Sequence, residues 1–598
     1  MTDGGTSDSA TAVAVGAIVL TGGRASRLGG VDKARLAVAG RPMVEAVLGA
    51  ARAVAGPVRT VGPGGDTRED PPHSGPVAGI AAGLRALPPS VDLVVVVACD
   101  LPGLDAATLR ALLAALRPAA TTHAPGAALA VDVAGHDQYL LAAWDRRALA
   151  ARLAALEASG GVGGRPVRAL YDDEEVVRVP VGDPARDVDT WADLAGHGPV
   201  ALPHVGAVLR AGLTPLPAGV RPPLAAVGAV LAAPLVAEDP MPRGPVSAMD
   251  GYALAGPGPW RLTGAARRAG DGSSVALTPG TAAPIATGAL APAGCDRVLL
   301  ELVTVTPAPT GPPVVTSLPD GDGVNDLRPV GEDWPVGHEL APAGAVLDAA
   351  LASAALSAGV TAARVRGPVR AAVVTTGDEV LPADTPAPLP PGRIRDTVGP
   401  LLGGILARAG FTGVGPPGHC ADTPDALDAL LDAGSGSVDA TTGDVVVLVG
   451  ATGRGVADLL RPALARTGAR IVLDGVRVRP GGSQLVAVLA DGRILLGLPG
   501  NPLAAVSAAA TTGRALVDAL TGRQRTLSSR RVHGLADLAT PGRSRILPAR
   551  PDGAGGWHLA DRVRTAHLAD LAGAPALAVV PESGGAAADD LVEIIDWI

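Results

Sequence analysis

Lysine is almost missing from this chain: among 49 lysines and arginines, Lys33 is the single lysine. Arginine is a planar, permanently charged fork, whereas lysine is a compact point charge on a flexible stem. A chain that meets every other need for positive charge with arginine, yet keeps one lysine, requires an ammonium at that place. Aromatic residues are also scarce, at 2%, against 47% hydrophobic residues. The cores are therefore Ala, Val and Leu, which suit closely layered helices on sheets. Cysteine is limited to Cys99, Cys295 and Cys420. These form no CxxC pair and cannot all pair internally, so a reducing cytoplasm is the expected compartment.

A basic excess is missing as well. The net charge of −9 leaves no electrostatic footprint for nucleic acid. Met1 to Ala10 carries two Asp and no basic residue, so no signal peptide is expected here. Pro, Gly or charge interrupts every long apolar stretch, which argues against a membrane span. Glycine (80) and proline (56) are plentiful, but they alternate with regular apolar runs and mark turns rather than disorder. The length of 598 residues predicts about three to five domains.

Val13 to Leu20 is a continuous apolar run, as expected of a parallel strand buried on both faces. A glycine-rich loop follows and ends in Val31-Asp32-Lys33; Pro42 then opens a helix with Val44, Val47, Leu48 and Ala51 on one face. Backbone N–H groups in such a strand–loop–helix unit converge on phosphate oxygens, and glycine permits the close approach. Arg24, Arg27 and Lys33 add cationic side chains. Two familiar loops are excluded by spelling. Ala34 stands where a Walker A loop needs Ser or Thr, and the GxGxxG dinucleotide fingerprint is absent. A second apolar run, Val91 to Ala98, leads into Cys99-Asp100-Leu101-Pro102. An Asp at the carboxyl end of a central parallel strand lies where open α/β sheets bind ligands, so Asp100 is the Mg²⁺ candidate.

These pieces, in this order, resemble the molybdenum cofactor guanylyltransferase family of nucleotidyltransferases. The carrying segments are LTGGRASRLGGVDKARL (20–36), GPVAGIAAGL (75–84), ACDLP (98–102) and DVDT (187–190). The resemblance implies a Rossmann-like, three-layer nucleotidyltransferase domain over 12–195, which moves GMP from GTP onto the terminal phosphate of molybdopterin and releases pyrophosphate. It also implies that Leu20, Thr21, Gly22 and Gly23 contact the nucleotide with Arg24 and Arg27. Lys33 would hold the phosphates, Asp70 would contribute to the pocket, and Asp100 would bind Mg²⁺. A cytidylyltransferase for the same cofactor uses a very similar loop, so CMP stays open as the transferred group.

Residues 196–204 are Gly/Pro-rich and read as a linker. Beyond them, 205–366 mixes helical patterns with short strand-like pieces. Residues 367–522 alternate strands and helices, including strands at Val369–Thr375 and Asp444–Val449, and 525–598 reads as a small β domain. This half resembles the molybdopterin molybdenumtransferases, including the related domain of gephyrin. SAMDGYA (247–253), ATG (286–288), RPVGED (328–333), TTGDEV (375–380) and LPGNP (498–502) carry the likeness. It implies N-terminal and linker domains, a molybdopterin-binding MogA-like α/β domain and a C-terminal β domain, usually in a homodimer. The implied activity is Mg²⁺-dependent insertion of molybdate into adenylylated molybdopterin with release of AMP. Asp250, Thr287, Arg328, Asp333, Glu379 and Asp458 would line the cleft, with Asp250, Asp333 and Glu379 catalytic and Glu379 a metal ligand. Arg479 and Arg543 would supply charge for molybdate and pterin phosphate.

Three departures stand out. The family's GGVSVG loop reads Gly450-Ala451-Thr452-Gly453-Arg454-Gly455. Its KPGKP segment reads Arg479-Pro480-Gly481-Gly482-Ser483, one cation fewer, although Arg454 offers a charge nearby. The usual Asn after Asp396-Thr397 is Val398. The leading expectation is a fusion enzyme of molybdenum cofactor synthesis, with transient contacts to molybdoenzyme apoproteins. A back half that only binds or scaffolds the cofactor, and a front half acting on a sugar or another phosphate acceptor, are the alternatives.

Overall fold

A computed structural model describes residues 13–22, 32–38, 41–116, 125–172, 174–272, 276–299, 303–321, 323–413, 415–432, 443–453, 458–532, 535–560, 562–582 and 591–597. The chain separates into two compact units: 1–214 with 370–516 and 526–598, and 215–369 with 517–525.

The first unit begins with β1 (Val15–Leu20), α1 (Met43–Arg52), β2 (Val58–Val61), α2 (Pro76–Ala86), β3 (Leu93–Ala98), α3 (Ala106–Ala115), β4 (Ala127–Val131), β5 (Asp137–Asp145), α4 (Arg146–Ala158) and β6 (Val176–Pro180). The six strands form one sheet in the order β2-β1-β3-β5-β4-β6, with β1 parallel to both β2 and β3. Alternate residues of the apolar runs serve opposite layers. Ile18, Val94 and Val96 join Ile80 of α2 and Leu149 of α4, while Ala17, Val19, Val95 and Val97 join Val47 of α1 and Leu109 of α3. The chain leaves β1 toward β2 on one side and returns to β3 on the other. The carboxyl ends of β1 and β3 therefore flank the topological switch point, where such sheets open a crevice.

The segment read as a linker is structured. After α5 (Trp191–Gly196), β7 (Val200–Ala201) lies within a sheet of the back half, and α6 (Val205–Gly212) follows. Val200 and Ala201 pair in register with Val476 and Arg477, so this connecting segment is ordered by the back half's sheet.

The second unit holds β8 (Val246–Ser247), β9 (Gly251–Ala255), β10 (Trp260–Leu262), β11 (Thr281–Ile285), β12 (Arg297–Leu299), β13 (Val303–Thr306), β14 (Val314–Ser317), β15 (Leu327–Arg328) and α7 (Ala349–Ser357). A six-stranded sheet runs β12-β9-β11-β10-β14-β13. The pair β8 and β15 is separate, with Val246 opposite Arg328.

The first unit resumes with β16 (Val369–Thr376; 370 onward lies in this unit), α8 (Gly399–Ala409), β17 (Phe411–Thr412), β18 (Gly418–Cys420), α9 (Pro424–Leu431), β19 (Val445–Val449), α10 (Leu460–Arg466), β20 (Arg470–Asp474), β21 (Val476–Arg479), β22 (Leu485–Val488) and β23 (Ile494–Leu498). The sheet order is β17-β16-β19-β23-β22-β20, with β18 also against β16. Its centre is parallel, and Val446, Leu448 and Leu495 bury against Leu427 of α9 and Leu464 of α10. The terminal sheet combines β24 (Ser529–Arg531), β25 (Ser544–Pro551), β26 (Trp557–Leu559), β27 (Ala576–Val580) and β28 (Leu591–Asp596) with β21 and β7. The small β domain expected over 525–598 thus recruits two strands from far upstream. The helix Pro502–Thr521 is long and apolar enough to cross a membrane, yet 78% of its most apolar window is buried within the fold.

Helix α3 offers a local test. Asp105 caps it, accepting a hydrogen bond from the Thr108 amide at 2.8 Å, and that bond, with one from the Thr108 hydroxyl, holds its pKa below the ordinary value. Asp105→Ala should weaken protection of the first turn of α3 by about 1 kcal/mol in hydrogen exchange at neutral pH. With a depressed folded-state pKa, this contribution is present above the ordinary carboxylate value and fades as pH falls through the lower folded one. The gap between wild type and variant should therefore close below about pH 4.

Candidate functional site

At the switch point, Thr21 continues β1 toward β2: its amide and hydroxyl both donate to the Val61 carbonyl, at 2.8 and 3.1 Å. Gly22 passes so close to Gly62 that a Cβ on Gly62 would meet the Gly22 nitrogen at 2.6 Å. Gly62 also sits at φ +142, a conformation open to glycine. The strand end is thereby held flat, with its backbone free to approach a ligand closely.

Lys33 begins a short 3₁₀ turn, Lys33–Arg35. Its Nζ lies 2.6 Å from Asp100 Oδ2 and 2.5 Å from Asp189 Oδ1, with the lysine side chain 17% exposed. Burial works against the ammonium, but attraction and hydrogen bonds from Asp100, then Asp189, outweigh it and raise the pKa above the ordinary lysine value. Asp189 is positioned by α5. Its amide and that of Thr190 donate to the Asp193 carboxylate, and the Thr190 hydroxyl accepts from the Asp193 amide in a capping box. The Val188 amide donates to the Asp100 carbonyl at 3.1 Å, which ties the two segments together. Asp187 sits alongside. Partial burial first, then repulsion from Asp189 and Asp100, hold its carboxyl above the usual range. One ammonium therefore faces three carboxylates. Cys99, beside them, is buried and its thiol is pushed up to about 12, so it is no nucleophile.

A cavity of about 380 Å³ opens from this cluster, lined by Asp100, Asp187, Gln138, Tyr139 and Arg168. Asp187 and Asp189 were legible only as part of the DVDT segment; their partnership with Lys33 is a tertiary fact. Leu20, Thr21, Gly22, Lys33 and Asp100 meet at the crevice. Asp70 is exposed in the loop between β2 and α2, outside the cluster. Gly23, Arg24 and Arg27 fall outside the described residues, as does Arg454.

In the second unit, pairing of β8 with β15 brings SAMDGYA beside RPVGED. Asp250 Oδ1 accepts from the Thr287 amide at 2.7 Å and its hydroxyl at 2.9 Å, and these bonds lower the Asp250 pKa. Arg328 donates to Asp333 at 2.6 Å and also to Glu332, a partner not singled out from sequence.

In the back half of the first unit, four carboxylates gather near the carboxyl edge of β16 and β19. The Asp422 amide donates to Asp378 Oδ1 at 3.3 Å. Burial, then repulsion from Asp378, Glu379 and Asp458, raises the Asp422 pKa. Its Oδ1 is buried without a hydrogen-bond partner among the described residues. Asp422 and Asp378 are additions to the sequence-derived set. Asp458 accepts from the Gly453 amide at 2.9 Å, and Arg461 grips the same loop through the Thr452 and Gly453 carbonyls, each at 2.7 Å. Ala451 takes φ +55, a strained value where the family spelling has glycine. Val398, in the place of the family's asparagine, is 4% exposed and offers no polar group. Arg479 is exposed at the end of β21, while Arg543 borders a separate cavity with Arg477. Among the described residues, no three His, Cys, Asp or Glu side chains already form a metal-ligand set. Mg²⁺ asks for less than that, one or two carboxylates plus substrate phosphates.

Residues 17–176 match the model of the MobA-like NTP transferase domain, 204–359 that of the MoeA N-terminal region (domains I and II), and 372–519 that of the molybdopterin binding domain. The chain is 31% identical over 309 residues to the molybdopterin molybdenumtransferase of Synechococcus elongatus, covering 50% of this chain and 74% of that one. The chain belongs to the molybdopterin molybdenumtransferase family. The corresponding protein of a Nostoc species is also 31% identical, over 47% of this chain and 64% of its own. The MoeA protein of Pyrococcus horikoshii shares the fold, with a TM-score of 0.51 and 22% identity over 67% of this chain and 99% of that one. The molybdenumtransferase half is thus fused behind a MobA-like NTP transferase domain, and the whole is a transferase of molybdenum cofactor biosynthesis.

Asp422 tests the electrostatics of the molybdenumtransferase half directly. In metal-free buffer, Asp422→Asn removes a carboxyl that three neighbours repel, and should raise the thermal midpoint by roughly 1–3 °C. A fall in scanning calorimetry would show that those carboxylates do not act on it as described.

Proposed function

We propose that the chain carries out two late steps of molybdenum cofactor synthesis. In the front half, an oxygen of the terminal molybdopterin phosphate attacks the α-phosphorus of GTP. A new P–O–P bond forms, the α–β anhydride breaks, and pyrophosphate leaves. The observation that carries this reading is the lone lysine clasped by Asp100 and Asp189 at the switch-point crevice. Displacements of this kind need alignment and neutralisation of growing charge more than covalent help from the protein. Leu20 to Gly22 present backbone to the nucleotide. Lys33, kept charged by its carboxylates, would turn toward the triphosphate, and the cavity beyond Asp100 would take the acceptor.

Three carboxylates around one ammonium leave an excess of negative charge that suits a divalent cation. Asp100 and Asp187 are the residues to hold Mg²⁺, which would supply charge neutralisation of the leaving pyrophosphate. In the back half, the buried unpartnered oxygen of Asp422 and its neighbours Asp378, Glu379 and Asp458 fit the same role. There molybdate would be inserted into adenylylated molybdopterin with release of AMP. Within the second unit, Asp250, Thr287, Arg328 and Asp333 are proposed to bind substrate, and Arg479 and Arg543 to supply positive charge on the first. A homodimer through this half and transient contact with apo-molybdoenzymes belong to the same proposal.

The strained Ala451 and the missing cation of Arg479-Pro480-Gly481-Gly482-Ser483 favour one alternative, a back half that binds cofactor without inserting metal. Whole protein incubated with adenylylated molybdopterin, Mg²⁺ and molybdate should release AMP in step with molybdate. Binding without AMP release would leave the scaffold reading standing.

For the front half, GTP should support pyrophosphate release with a molybdopterin acceptor and CTP should not; the reverse preference would reassign the transferred group. Lys33→Arg keeps the charge but exchanges a point donor for a wide fork. Turnover should fall by roughly two to three orders of magnitude, and near-wild-type release of pyrophosphate would remove Lys33 from the reaction.

A further inference from the structure

The cavity of the front half is built on an irregularity of its sheet. Along β4 and β5 the pairing runs Ala128 with Ala143 and Leu129 with Ala142, then jumps to Ala130 with Gln138. Tyr139, Leu140 and Leu141 are left without partners on β4, while Leu141 still pairs with Val97 of β3. A bulge of this kind re-aims side chains and is frequent beside functional sites. All three bulged residues, with Gln138 before them, line the cavity of about 380 Å³ that opens from Asp100.

The bulge takes the Tyr139 carbonyl off the ladder, and a side chain satisfies it instead. The Tyr171 hydroxyl donates to that carbonyl at 2.8 Å, and burial raises the Tyr171 pKa, which keeps the hydroxyl a donor. Tyr171 follows the 3₁₀ turn Val167–Leu170, whose Val167 and Arg168 line the same cavity. The rings complete the arrangement. The Tyr171 centroid lies 5.4 Å from that of Tyr139 and 4.8 Å from that of Trp144, at tilts of 54° and 46°, and tilted contacts suit the ring quadrupoles. Trp144 is fully buried, whereas Tyr139 is half-buried. A chain with three tyrosines therefore spends two of them here, Tyr171 as the brace and Tyr139 at the cavity wall.

The polar groups around Tyr139 are sorted as well. Asp137 is held by Arg178 through two hydrogen bonds of 2.9 Å. The Gln138 amide nitrogen donates to Asp132 at 2.9 Å, so Gln138 offers its oxygen as an acceptor, and exposed Arg168 offers N–H donors. We propose that Tyr139 is the specificity-determining residue for the acceptor: the bulge presents its ring as a platform for the flat heteroaromatic part of a phosphorylated acceptor, with Gln138 and Arg168 hydrogen-bonding the edge of that ring. Stacking of this type is read through a π-face, which a sugar phosphate lacks. The inference rests on reading the front half as a transferase onto a phosphorylated acceptor, and adds which acceptor ring is taken and which residue reads it.

The full chain, Tyr139→Leu and Tyr139→Phe are titrated with hydroxymethylpterin, a flat bicyclic probe, by quenching of its fluorescence, and thermal melts confirm that all three fold. Leucine keeps apolar bulk against the core and removes the π-face; phenylalanine keeps the face. Any site on the back half contributes equally to the three proteins, so the difference between isotherms reports the front cavity. Tyr139→Leu should weaken that binding about tenfold, and Tyr139→Phe should stay within about threefold of wild type. A sugar phosphate monoester should not displace the probe. With molybdopterin as acceptor, Tyr139→Leu should raise the acceptor KM and leave kcat nearly unchanged. No saturable binding of the probe by wild type, identical isotherms for wild type and Tyr139→Leu, or displacement by the sugar phosphate overturns the proposal. Absence of pyrophosphate release from all three proteins, with the Tyr139-dependent difference in probe binding intact, would instead refute the transfer reading and leave the platform in place.

Discussion

The front half depends on a single ammonium held between two carboxylates. Lys33 reaches across the crevice to Asp100, at the end of β3, and to Asp189, on the segment that enters α5. Those carboxylates come from the middle and the end of the domain sequence, so the ion-pair triad closes the sheet's far segment onto its switch point. It also fixes the electrostatics. Lys33 keeps its charge despite partial burial, and three carboxylates remain short of full neutralisation. On the proposed reading, that imbalance is met by a ligand that brings both cation and phosphate.

Much of this architecture could be read from sequence because strand burial leaves a direct mark. The apolar runs ending at Leu20 and Ala98 can sit only in a sheet covered on both faces, and the residue after such a strand is at its carboxyl end by construction. Lys33, Gly22 and Asp100 followed from that logic. Asp189 did not acquire a role from sequence, because its orientation comes from a capping box made by Thr190 and Asp193 and from the Val188–Asp100 backbone bond. Caps and loop-to-loop bonds have weak sequence signatures, and they decide which of several nearby acids faces the cation.

Asp422 and Arg477 escaped for a related reason. Asp422 is unremarkable in Cys420-Ala421-Asp422-Thr423, and only parallel pairing of β18 with β16 sets it near Asp378 and Glu379. The alternation Val476-Arg477-Val478-Arg479 suggests a strand with one wet face. Arg477 would be the exposed residue of that pattern if β21 were an edge. Pairing on one side with β25 and on the other with β7 makes it an interior strand, yet Arg477 is buried while Arg479, two residues on, stays exposed.

The same pairing changes how the two halves of the first unit are joined. A flexible tether would make transfer between sites a matter of linker length and effective concentration. Here the chain runs from Asp187 and Asp189 at the Lys33 cluster, through the capping box and α5, directly into β7, whose Ala201 is in register with Arg477. Both ends of this stretch are fixed by hydrogen bonds, so few residues are left to act as a hinge. Tether statistics therefore do not describe the joint: under the proposed two-step function, exchange of an intermediate would have to work within a set geometry or pass through solution.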